Sequence, residues 1–182
     1  EENTSGTFTR DLMLSDVPIV AVDLDPGDGV DEVAFAYEFQ LDINETLPLK
    51  ELSLQTVQIY TTLDPAAAYA EAAANRDTSD PFDRADFGGE ASLVYDMDGL
   101  ANSMVQLNYE LESGSGAADM FLYVPISGFG DYPPDPNAHV ILYSVFCSIL
   151  DPNEFGYDPN VHGYIQDDGF EEWAVRAPTS LG

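Results

Sequence analysis

VAFAYEFQLDI, residues 33–43, decides the fold class. Val33, Phe35, Tyr37, Phe39, Leu41 and Ile43 alternate with Ala34, Ala36, Glu38, Gln40 and Asp42. Period two is the repeat of a strand, whose successive side chains point to opposite faces. A helix would instead gather its apolar residues every three or four positions. The stretch therefore predicts a half-buried strand with all of its large side chains inward.

The same reading extends along the chain. In ELSLQTVQIYTT, residues 51–62, Leu52 and Leu54 share one parity and Val57 and Ile59 the other, so a β-bulge is expected near Gln55. Further strands are expected in SLVYDM (92–97), SMVQLNYELE (103–112), DMFLYVPI (119–126), HVILYSVF (139–146) and EEWAV (171–175). Residues 7–24, TFTRDLMLSDVPIVAVDL, supply one or two more. Turn material separates these runs at Asp98-Gly99, Gly114-Ser115-Gly116 and the proline-rich stretch 132–136. One helix is expected: Asp64-Pro65 is an N-cap and first-turn pair ahead of AAAYAEAAA. It ends before NRDTSDPFDRADFGG, residues 75–89, which reads as a long surface loop. The sum is an all-β chain: a jelly-roll-like antiparallel β-sandwich with one short helix near 65–74, in a single domain over 1–182.

Charge narrows the function. Asp and Glu number 34, Lys and Arg 5, for a formal net charge of −29. Such a surface repels phosphate backbones and anionic lipid, which argues against nucleic acid as a partner and favours cations. Hydrophobic residues are 45% of the chain, so it has the apolar content to fold despite that charge. Solvated acids, adaptation to salt and bound Ca²⁺ are competing accounts of the acidity. No apolar run approaches the ~20 residues of a membrane-spanning helix, so no direct membrane insertion is expected. Cys147 is the single cysteine, within VILYSVFCSIL, and reads as a buried small hydrophobe. The opening EENTSGTFTR reads as the start of a processed, exported chain.

The acidic loop DLDPGDGVDE, residues 23–32, precedes the strand that opened the argument. Ca²⁺ takes six to eight oxygens, and Asp23, Asp25, Asp28, Asp31 and Glu32 are candidate ligands around a turn at Pro26-Gly27 and Gly29. The spacing is not that of an EF-hand, and a strand follows rather than a helix. Asp-Pro-Gly-Asp-Gly is also good turn chemistry without any metal. Asp96 with Asp98, and the acids at 77–86, 151–158 and 167–168, are weaker clusters.

An enzyme is not expected. Nucleophile-elbow, Walker, HExxH and dinucleotide motifs are missing, and only His139 and His162 are available as imidazoles. A carbohydrate-binding or adhesion module supported by Ca²⁺ is one functional expectation. Its aromatic candidates are Tyr123, Phe129, Tyr132, Phe155, Tyr157, Tyr164 and Trp173, many of which also suit a core.

Three stretches, YEFQLDINETLPLKELSLQTVQIYTT, LVYDMDG with NYELESGSGAADMFLYVPIS, and DDGFEEWAV, resemble the β-rich domain of bacterial exported proteins of the PEP-CTERM surface-anchored type. The resemblance spans about two thirds of the chain and implies export to a cell-surface or matrix setting. It implies no catalytic site, and the PEP motif, apolar helix and basic tail do not follow Arg176. TFTRDLML and the acidic loop with its strand are similar to the opening of TasA-like biofilm fibre proteins. That likeness implies polymerisation by N-terminal strand donation to a neighbouring subunit, a form of strand addition. Residues 1–14 would then be an extended donor strand, with Thr7, Phe8, Thr9, Leu12 and Leu14 as partner-binding residues; the competing expectation is that this segment pairs within its own domain. The leading expectation is a non-enzymatic extracellular structural protein that binds copies of itself, with Ca²⁺ as its stabilising ion. The alternative is the glycan-binding or adhesion module.

Overall fold

A computed structural model describes residues 12–23, 33–43, 51–75, 87, 89–101, 103–108, 118–130, 134–146 and 172–176. The expected strand over 33–43 is β2 (Val33–Asp42), the centre of one antiparallel sheet. β1 (Ile19–Asp23) and β6 (Met120–Pro125) pair with it on opposite edges, and β8 (Glu172–Ala174) pairs with its end on the β1 side. The second sheet is built around β3 (Glu51–Thr62). β7 (His139–Phe146) runs along one edge; β4 (Ser92–Asp96) and β5 (Val105–Asn108) share the other. All described pairings are antiparallel, and the two sheets pack face to face as an all-β sandwich.

The core follows from the two alternations. Tyr37, Phe39, Leu41 and Ile43 from the first sheet meet Leu52, Leu54, Val57 and Ile59 from the second. The parity switch in β3 is a bulge: the register with β7 shifts between Leu54 and Thr56, with Gln55 the extra residue. It lets Leu52 and Leu54 face the same core as Val57 and Ile59. Trp173 and Ser144 tie the sheets together, the indole N–H donating to the hydroxyl over 3.1 Å.

α1 (Pro65–Asn75) lies on the outer face of the second sheet. The Asp64 carboxylate caps it, accepting from the Ala67 N–H at 3.0 Å. Fully buried Ala68 allows close approach to Tyr60, and Phe87 packs edge-on against the Tyr60 ring at 4.5 Å between centroids. Phe87 is thus a packing residue within the stretch expected to be a surface loop.

Two expectations for β2 need correction. Val33 and Phe35 have the inward parity but are 57% and 61% exposed. The apolar layer that meets the second sheet begins at Tyr37, and this end of the β1–β2 hairpin lies outside it. Glu38 has the outward parity yet is 3% exposed, for reasons that belong to the face it sits on.

Candidate functional site: the outer face of the first sheet

In MFLYVP of β6, Leu122 and Val124 turn to the core, which places Phe121 and Tyr123 on the outer face. Pairing with β2 sets Phe121 opposite Gln40, Tyr123 opposite Glu38 and Pro125 opposite Ala36. Across β2, Ala174 lies opposite Gln40. The Phe121 and Tyr123 rings are parallel within 7°, with centroids 6.3 Å apart, and remain 42% and 39% exposed.

Glu38 lies beside this pair, opposite Tyr123 on the neighbouring strand. Its Oε1 accepts from Gln40 Nε2 at 3.2 Å and pairs with the Arg176 guanidinium at 3.2 Å. These partners compensate a carboxylate that would otherwise be costly to remove from water. The Tyr123 hydroxyl is pushed above the ordinary phenol value by burial, then by the Glu38 charge and its hydrogen bond to Glu38; Arg176 pulls the other way. The result is an aromatic pair beside an amide and a guanidinium, held in place by a buried acid.

Of the aromatics singled out from the sequence, Tyr123 alone among the described ones is on this face. Phe129 is buried against Tyr37 at 4.6 Å, and Trp173 packs between the sheets. Tyr132, Phe155, Tyr157 and Tyr164, like Cys147 and His162, lie outside the described residues. Phe121, Glu38, Gln40 and Arg176 were not anticipated as site residues. The alternation in MFLYVP marks Phe121 as the face-mate of Tyr123. Nothing local marks Arg176, which reaches Glu38 across 138 positions of sequence.

The acidic loop joins β1 to β2 as an antiparallel connection, with Asp23 directly opposite Val33. Asp25, Asp28, Asp31 and Glu32 lie outside the described residues. Among the described residues, no group of three His, Cys, Asp or Glu is placed to hold a metal ion. Asp96 and Asp98 are turn-builders: they accept from Asp98 N–H and Gln58, and from Ser103 N–H and Thr56, respectively. Their charges, after burial, raise the Tyr95 phenol. A cleft of about 380 Å³ beside the start of α1 includes Asp64 and Asp135, which cap Ala67 and Asn137.

Of the N-terminal residues, Thr7, Phe8 and Thr9 lie outside the described set. Met13 forms an antiparallel bridge with His139 at the edge of β7 away from β3. The Leu12 carbonyl accepts from Val140 N–H and the Leu14 N–H donates to the Ala138 carbonyl, both at 2.8 Å. Leu14 is 2% exposed in the core of its own chain, and Leu12 packs against that core. No family model, curated protein or solved structure matches the chain.

Proposed function

We propose that this chain is a non-enzymatic structural protein of the cell surface or extracellular matrix, a subunit that assembles with copies of itself. The observation that supports it is the edge pairing of Leu12 to Leu14 with β7. That contact pairs the stretch in antiparallel register with the β7 edge of its own chain; donation to a neighbouring copy falls to the residues before Leu12, by the same mode of strand addition. Leu12 and Leu14 anchor the stretch in cis; Thr7, Phe8 and Thr9 are the residues that engage the neighbouring copy. At a net charge of −29, copies repel one another at low ionic strength, so assembly requires screening. Ca²⁺ held by Asp23, Asp25, Asp28, Asp31 and Glu32 provides part of it locally.

Sedimentation of the full chain and of a chain lacking residues 1–11 tests this reading. The full chain assembles as salt or Ca²⁺ is raised, and the truncated chain stays monomeric. Assembly that survives the truncation overturns strand donation. Calorimetric titration of chelator-stripped protein separates the ion from the strand: saturable heat with Ca²⁺, unmatched by Mg²⁺ and lost in D25N/D28N, is the expected result. A second reading, an adhesion module, is favoured by the exposed Phe121–Tyr123 pair.

A further inference from the structure

We propose that the outer face of the first sheet binds a neutral polysaccharide, with Phe121 and Tyr123 carrying the sugar rings and Gln40 and Arg176 bonding their hydroxyls. The site stands independently of self-assembly. Pyranose C–H groups carry slight positive charge and settle on the negative face of an aromatic ring. The two rings, two positions apart on one strand, stack parallel and hold their exposed ring surface and edges in a single fixed orientation. Both rings are substantially exposed at a place where polar side chains would be cheaper to hydrate.

The polar groups suit hydroxyls. Gln40 offers an amide donor and acceptor, and Arg176 a planar fork of donors. Arg176 is anchored at one end on Glu38 while its side chain is 57% exposed. Glu38, nearly inaccessible, is a positioning residue that orients Gln40, Arg176 and Tyr123. Ala174, opposite Gln40, is small and exposed and leaves room beside Gln40, whereas Ala36 next to Glu38 is buried, so the accessible part of the face lies toward Gln40, Phe121 and Arg176. Phe121, Tyr123 and Gln40 are preorganised on strands and Arg176 is held by Glu38, which lowers the ordering cost of binding.

Charge selects among polysaccharides. Glu38 and Arg176 balance locally, while the chain as a whole carries −29. Uronate and sulfated chains are repelled over the approach, and neutral chains are not.

Native gel electrophoresis of the full chain through mixed-linkage β-glucan, xyloglucan or dextran, with alginate as the acidic control, tests the site. At least one neutral polymer retards the protein and alginate does not. F121T/Y123T, which keeps strand-compatible residues on an exposed face, removes the retardation while circular dichroism stays unchanged. Either single substitution weakens binding about tenfold or more, the behaviour of an aromatic anchor. R176A weakens it with the rings intact. The chain lacking residues 1–11 binds as the full chain does, which separates this site from strand donation. Retardation by none of the neutral polymers, by alginate alone, or to an equal degree in F121T/Y123T overturns the proposal.

Discussion

Arg176, just beyond β8, holds its guanidinium 3.2 Å from Glu38 on β2, an acid that is 3% exposed although it faces outward from the sandwich. The pair pins the end of β8 to the centre of the first sheet and sets the polar side of the aromatic face. Removing the cation leaves the carboxylate buried with fewer partners. R176A is expected to lower unfolding stability by about 1–3 kcal/mol, the range for an under-satisfied buried group. E38Q/R176A should recover part of that loss, because the charge needing compensation is gone. Denaturant unfolding followed by the fluorescence of Trp173, the single tryptophan, measures both. Equal losses in the single and double variants would show the pair to be uncoupled.

Tyr123 should report the same network through its phenol. Burial and Glu38 raise it above ~10, the ordinary phenol value. The folded state therefore holds this proton more tightly than the unfolded chain. The stabilisation is present below the unfolded value and lost as pH rises through the higher folded one. In an ultraviolet titration, E38Q moves this phenol down and R176A moves it up. Y123F removes the component, while the raised Tyr95 phenol remains. A titration unchanged by E38Q would mean that Glu38 does not govern Tyr123.

Leu14 and Leu12 divide the N-terminal contact into core and edge. Leu14 is 2% exposed, so L14A is expected to cost about 2–5 kcal/mol through lost burial and the cavity left behind. Leu12 is partly buried, so L12A costs less. Thermal unfolding of the two variants checks the order; a larger loss in L12A would contradict this packing.

Phe35 and Phe39 have the same parity on one strand but opposite surroundings. F35T should change stability by no more than about 0.5 kcal/mol, as for other surface positions. F39A, at a site 1% exposed, should cost about 3–5 kcal/mol. Comparable losses at both positions would mean that the hairpin end is covered in solution.

The chain alone determined its elements. Period two in 33–43, the parity switch at Gln55 and the Asp64-Pro65 cap are local signals, and local sterics and hydrogen bonding act on them directly. β2, the bulge in β3 and α1 therefore came where the sequence placed them. The alternation in MFLYVP likewise put Phe121 and Tyr123 on one face without any long-range information. Only the tertiary structure decided what each face meets. Phe35 and Phe39 are alike in sequence, but the second sheet covers one of them. Trp173 suits a sugar platform or the core equally until Ser144 and the core pack against it. Glu38 has the outward parity of its strand, and only the fold brings Arg176, far along the chain, to pair with it. Burial and charge pairing depend on neighbours brought together by folding, so side-chain period predicts direction and leaves the surroundings to the pairing of sheets.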